Sequence, residues 1–211
     1  MTHVAANCPN CGAPLDFKWP SSIQTVCPYC KSIIIRTDVD LQKVGTVADL
    51  PPDNSPIQIA TEGIYKNKAF TVAGRIIYEY ELGTWNEWHV VQNDGSSAWL
   101  SDAQSQYCYT TATTHNDLPP AAAVHVGGHY NWDAISFTVT AITEANYRGV
   151  EGELPFQYWD KTKALFADCM SARGDFATID YSDDQPVLYR GEMVEFDSLH
   201  LKNLRSFEGW E

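Results

Sequence analysis

Two matched pairs of cysteines open the chain: Cys8-Pro9-Asn10-Cys11-Gly12 and Cys27-Pro28-Tyr29-Cys30-Lys31. A Cys-x-x-Cys pair puts two thiolates at the tip of one tight turn. Two such tips on neighbouring strands can close around one metal ion, and four thiolates in a tetrahedron are the ligand set of a structural zinc site. Pro9 and Pro28 preset the turns, and Gly12 stands where backbone amides commonly point at the sulfurs. The competing readings are two disulfides or a redox dithiol. A redox motif is normally single and set in a βαβ unit, a pattern this stretch lacks. Cys8, Cys11, Cys27 and Cys30 are therefore expected to hold one Zn²⁺. Four protein ligands leave no open position for water or substrate, so the role is structural. The segment is also too short to bury a sufficient core alone, and zinc binding of roughly 10–16 kcal/mol would supply the missing stability.

Around these ligands the sequence reads as a zinc ribbon over 1–44. A short hairpin is expected between the knuckles, through Phe17, Trp19, Ser21 and Ser22. A strand is expected to leave the second knuckle over Ser32 to Thr37. Residues 45–57 form a Pro-rich linker, with Pro51, Pro52 and Pro56. A second break, Asp117-Leu118-Pro119-Pro120, repeats Asp49-Leu50-Pro51-Pro52 and prompts a search for duplication. Gly63-Ile64-Tyr65 with Phe70-Thr71-Val72 lines up against Gly128-His129-Tyr130 with Phe137-Thr138-Val139. Turns at Asn93-Asp94-Gly95 and Arg173-Gly174 separate short apolar runs in each half. Helical periodicity is sparse. The stretch from Trp159 to Met170 is open to a helix, but from Phe166 it alternates as a strand. The expected fold is mainly β: the ribbon, a first β-module over 58–118 and a second over 119–211. Each is a small barrel or curled sheet, related by duplication. Whether the two stay separate or form one continuous pseudo-symmetric domain is left open.

Composition narrows the function classes. The 211 residues are 44% hydrophobic with 7 Trp, 11 Tyr and 8 Phe, a globular make-up. No apolar run approaches the ~18 residues of a membrane span, and no secretory pattern opens the chain. Cysteines in metal spacing fit a reducing compartment, so a cytoplasmic protein is expected. Residues 1–45 carry four basic and three acidic side chains, a net of +1. The chain as a whole is at −13, which leaves −14 on the remainder. A body this acidic repels nucleic acid and anionic lipid.

Other chemistry is thin. His125 and His129 have metal-pair spacing only on a helix, which Gly127-Gly128 argues against. Asp180, Asp183 and Asp184 lack the ligand ladder of a calcium loop and read as a solvated loop. Arg173-Gly174-Asp175 reads as a turn. Cys108 and Cys169 read as buried small residues, and no local pattern makes Cys169 a nucleophile. Tyr78, Tyr80, Trp85, Trp88 and Trp99 crowd one hairpin. If its strands are regular, Tyr78 and Tyr80 share a face while Trp85 and Trp88 take opposite ones. These aromatics read first as core, and otherwise as a partner groove.

The ribbon with Asp38-Val39-Asp40-Leu41 and the linker, Phe70-Thr71-Val72-Ala73-Gly74-Arg75-Ile76, Trp85-Asn86-Glu87-Trp88, Trp99-Leu100-Ser101 and Phe176-Ala177-Thr178-Ile179-Asp180-Tyr181 together resemble bacterial proteins of the domain-of-unknown-function family 4178. The resemblance spans roughly 58–205 plus the ribbon. It implies a neighbourhood of membrane-associated stress proteins, AAA-type ATPases or polyamine enzymes, and it carries over no catalytic residue. The leading expectation is a non-catalytic zinc-ribbon adaptor that binds other proteins in a bacterial, membrane-associated stress assembly. Its alternatives are an enzyme or small-ligand binder with a pocket between the β-modules, marked by converging Asp, Glu or His, and nucleic-acid binding through Lys18, Lys31, Arg36 and Lys43.

Overall fold

The computed structural model describes residues 4–37, 40–47, 50, 54–115, 117–158 and 163–207. Fifteen strands and two 3₁₀ turns make up its regular structure. The ribbon holds β1 (Val4–Asn7), β2 (Pro14–Phe17), β3 (Gln24–Val26), β4 (Ser32–Arg36) and β5 (Leu41–Thr46). The hairpin expected between the knuckles is absent: β1 pairs with β2, and β3 pairs with β4. Each Cys-x-x-Cys is itself the hairpin turn, so each hairpin straddles a knuckle. The strand predicted after the second knuckle is present as β4.

The body follows in two runs. The first is β6 (Glu62–Tyr65), β7 (Lys68–Tyr80), β8 (Gly83–Gln92), β9 (Ser97–Ala103) and β10 (Gln106–Thr113). The second is β11 (His129–Trp132), β12 (Ile135–Leu154), β13 (Lys163–Ser171), β14 (Asp175–Asp180) and β15 (Val187–Val194). Both predicted Gly turns join the strands expected, with Gly95 and Gly174 at positive φ. The described part of the 159–170 stretch is strand β13, and residues 159–162 lie outside the described residues. Residues 48, 49 and 51–53 of the Pro-rich linker also lie outside them.

The duplication is visible in backbone detail, at one constant offset. Ala60 and Gly127 both take positive φ and both bond the carbonyl of a valine, Val72 or Val139. The two-residue turns Lys66-Asn67 and Asp133-Ala134 are both left-handed. Each long strand then has a β-bulge at the equivalent place, between Val72 and Gly74 in β7 and between Val139 and Ala141 in β12. These features pair Phe70 with Phe137 as the sequence does. They pair Tyr65 with Trp132, however, because the short Gly-x-Tyr match is out of register by two residues.

The halves do not close separately. β10 pairs antiparallel with β15 along Tyr107–Thr113, and β12 pairs with β7 along Asn146–Gly152. The strands β7-β8-β9-β10-β15-β14-β13-β12 therefore form a closed ring of eight, the continuous arrangement of the two left open by the sequence. Glycines permit both seams. A Cβ on Gly191 would collide with the Tyr109 carbonyl, and one on Gly74 with the Glu153 carbonyl. The far end of β12 runs on to pair with β3, so the ribbon strands β3, β4 and β5 extend the same sheet.

The bulges sort the side chains. One extra residue in a strand reverses its alternation. Thus Val72 packs on one face of β7 with Trp88, Val90 and Leu100, while Ile76 and Tyr78 face the other way. The first face is covered by Ile57 and by Leu199 of the 3₁₀ turn Phe196–Leu199. The same face of the second half packs Phe137, Val139, Ile179 and Leu188 under Leu118 and Val124. Burying each such side chain contributes about 1.5–3 kcal/mol. The opposite face, from all eight ring strands, is left to line a shared cavity.

Candidate functional site

The four cysteine sulfurs come together as the spacing predicts. All lie within 4.8 Å of one another. Cys8 Sγ is 3.7 Å from Cys30 Sγ, and Cys11 Sγ is 3.8 Å from Cys27 Sγ. Sulfurs at about 2.3 Å from a central ion in a tetrahedron stand about 3.8 Å apart, whereas a disulfide needs about 2.05 Å. The sulfurs thus fit a metal ion and are not bonded to each other. Both turns are built alike: the Gly12 amide donates to the Cys8 carbonyl at 2.8 Å, and the Lys31 amide to the Cys27 carbonyl at 3.0 Å. Gly12 and Lys31 occupy the same left-handed position. Cys8 and Cys27 are buried, Cys11 is exposed, and Ser32 Oγ stands 3.2 Å from Cys30 Sγ.

Inside the ring lies a second centre, a cavity of about 250 Å³. Its walls are aromatic. Trp85 stacks on Tyr78 at 4.9 Å between centroids, and Phe166 stands edge-on to both at 5.1 and 5.6 Å. Across the cavity, Trp99 packs between Phe156 and Tyr189. Tyr158 closes one side, its hydroxyl 2.5 Å from that of Tyr78. As expected from alternation, Tyr78, Tyr80 and Trp85 all line this space while Trp88 is buried in the opposite cluster.

Three carboxylates face the same space: Glu87 from β8, Asp168 from β13 and Asp180 from β14. Glu87 accepts from Trp85 Nε1 at 2.9 Å and from Ser101 Oγ at 2.7 Å. Burial outweighs these bonds and pushes its carboxyl up to about 7. Burial also raises Asp168, against an interaction with Thr178 that lowers it. Asp180 accepts from the Ser182 amide at 2.8 Å. Asp180 was read as part of a solvated loop. Instead its strand continues further than the acidic run implies and turns its carboxylate inward. Glu87 and Asp168 escaped the sequence reading as site residues. The signal available was parity: Glu87 is two residues from Trp85, and Asp168 two from Phe166, so each shares an inward face with an aromatic.

Of the other candidates only Cys108 lines the cavity, and none joins the cysteine cluster. His125 Nδ1 lies 3.3 Å from the Ala123 carbonyl, and His129 Nδ1 lies 3.0 Å from Thr138 Oγ1. Cys108 and Cys169 are buried, as expected. Burial pushes the Cys169 thiol up to about 12, the opposite of a nucleophile's requirement.

The ribbon and the cavity touch. Glu153, near the end of β12, accepts from the backbone amides of Lys18 and Trp19 at 2.9 and 3.2 Å. Gln24 of β3 makes a two-way amide pair with the backbone of Tyr158, at 3.1 and 2.7 Å. One cavity wall is thereby held by a ribbon side chain.

No curated protein and no solved structure matches the chain. The family model described as Domain of unknown function (DUF4178) matches residues 58–196, a span that contains the whole ring and stops short of the cysteines. With two thirds of its length covered by that match, the chain belongs to the DUF4178 family.

Proposed function

We propose that this protein binds a small ligand in the cavity between its two β-halves. In the same reading, one structural Zn²⁺ on Cys8, Cys11, Cys27 and Cys30 staples the ribbon against the cavity wall. The observation that carries the reading is the cavity itself. All eight ring strands contribute to it, it is walled by aromatics, and it holds half-buried carboxylates, two of them raised by burial, a combination typical of ligand sites. The zinc assignment is supported by the sulfur spacing and by an all-thiolate donor set, which zinc favours.

Two measurements test it. Elemental analysis of the purified protein should return one zinc per chain, with none in a Cys8→Ser, Cys27→Ser variant. A small-molecule screen read by ¹H–¹³C NMR of the aromatic rings should find ligands that shift Tyr78, Trp85 and Phe166 together. Hits confined to outer-surface residues would overturn the cavity reading.

An adaptor role has one observation in its favour, Tyr29, two-thirds exposed (67%) at the tip of the second knuckle. Affinity purification of wild type beside Tyr29→Ser tests it, with loss of a stoichiometric partner expected. Nucleic-acid binding is less favoured. Of the ribbon's four cations, Arg36 lies over the Phe17 ring at 5.2 Å and Lys43 bonds Asn10 at 2.9 Å, so two are engaged within the ribbon.

A further inference from the structure

We infer that the cavity selects a small organic cation, an alkylammonium compound, held by Glu87 and Asp168 within the box of aromatic rings. This rests on the cavity being a ligand site, as proposed above, and names the class of ligand.

Among the described residues the lining includes three carboxylates and no Lys, Arg or His. Among the described residues, no ion pair reaches Glu87 or Asp168, and Asp180 is bonded by Ser182. Burying a carboxylate without a cation is costly, and folded chains usually avoid it or supply a partner. Here the duplication offers a place to see the choice. Glu87 and Phe166 occupy equivalent positions of the two halves, as do His89 and Asp168, judged by their pairing to β7 and β12. Neither acid is therefore required by the fold, because the other half manages the same position without one. An anionic ligand would meet repulsion from every side. A neutral one would gain nothing from the charge of Glu87 and Asp168.

The walls agree with the charge. Tyr78, Trp85 and Phe166 line the same space, and the face of an aromatic ring attracts a cation through its negative quadrupole potential. Aromatic boxes with an acid at one side are a recurrent solution for ammonium groups. At about 30 Å³ per water, the cavity of about 250 Å³ has room for a molecule of about eight heavy atoms.

Protonation links binding to pH. In the empty cavity burial holds Glu87 up to about 7, so it is partly protonated near neutrality, and burial raises Asp168 as well. Among the described residues the other titratable groups lining the cavity are Asp180, Tyr78, Tyr80, Tyr158, Tyr189 and Cys108. Burial pushes Tyr78, Tyr158, Tyr189 and the Cys108 thiol further up, so they stay neutral. A bound ammonium brings the charge that lets the acids ionise, so affinity should fall as pH drops from 8 toward 5.

The test uses the full metal-loaded protein and three chains of equal length: n-hexylammonium, n-hexanol and n-hexanoate. Binding is followed by calorimetry and by ring NMR at pH 8 and pH 5, for wild type, Glu87→Gln and Asp168→Asn. The expected result is that hexylammonium binds at least about tenfold more tightly than either isostere at pH 8, and more weakly at pH 5. Either variant should lose about tenfold for the cation alone. Having two variants keeps the test alive if one fails to fold. If hexanol or hexanoate binds in the cavity as tightly as hexylammonium, the cation assignment is overturned while the cavity remains a ligand site. If no probe shifts the cavity rings in the millimolar range and the wider screen is also silent there, both readings fall.

Discussion

Glu87 and His89 stand two positions apart on β8, and burial moves them in opposite directions. His89 is held down to about 4, chiefly by burial, despite the 2.9 Å contact of its Nδ1 with the Glu153 carbonyl. A carbonyl only accepts, so Nδ1 carries the proton and Nε2 accepts from Ser97 Oγ at 3.0 Å. Between pH 6.5 and 4 the unfolded chain binds a proton at this histidine that the folded chain refuses. Stability from His89 is thus full above about 6.5 and is lost as pH falls, by up to ~3 kcal/mol. Glu87 runs the other way. Its folded form keeps a proton up to about 7 while the unfolded form gives it up above about 4.5, so stability is full below 4.5 and is lost as pH rises through 7. Glu87→Gln should therefore melt at a higher temperature than wild type at pH 8, by an amount worth ~1–3 kcal/mol, with little difference at pH 4.5. Equal melting shifts at both pH values would show that burial does not perturb Glu87. In the same variant the acid limb below pH 6.5 should survive, since it belongs to His89.

At the scale of elements, the bulges and the seams do the positioning. Tyr78 and Val72 are separated by an even number of residues, and in a regular strand they would share a face. The bulge after Val72 sends them to opposite faces, one to the cavity and one to the packed cluster. The β10–β15 seam depends on Gly191, whose missing Cβ makes room for the Tyr109 carbonyl. Backbone cannot yield as a flexible side chain can. Gly191→Ala is expected to destabilise by at least ~1–3 kcal/mol and to broaden the unfolding transition, measured by urea denaturation. A loss below the error of that measurement would mean the seam is looser than its register implies.

For the molecule as a whole, the ribbon is a continuation of the ring's sheet. β3 pairs with the end of β12, Glu153 bonds the turn at Lys18 and Trp19, and Gln24 holds the backbone of Tyr158. Removing the metal should loosen the ribbon and, through Gln24, the Tyr158 wall. Chelation is expected to lower the melting temperature and to weaken the near-ultraviolet circular dichroism of the Tyr78, Trp85 and Tyr158 group, while the far-ultraviolet β signal of the ring persists. Near-ultraviolet spectra unchanged after complete metal loss would make the ribbon an independent module. Gln24→Ala, which leaves the cysteines intact, should reproduce the cavity effect without the metal loss.

The cluster of four N-terminal cysteines, the mainly β character, the turns at Gly95 and Gly174 and the family resemblance were all legible in the chain, because each depends on residues close together in sequence. Cys-x-x-Cys spacing is local geometry, and alternation and turn chemistry are local preferences. The duplication was legible too, though its register near Tyr65 and Tyr130 slipped by two, since three-residue matches are weaker than the shared left-handed turns that correct them. Closure of the halves into one ring was not legible. It rests on pairings between β10 and β15 and between β7 and β12, which join distant segments, and backbone hydrogen bonds carry no sequence signature of their partner. The cavity followed from that closure. Glu87, Asp168 and Asp180 are ordinary acidic residues in three separate strands, and only the curling of eight strands around a common axis turns all three toward one cavity.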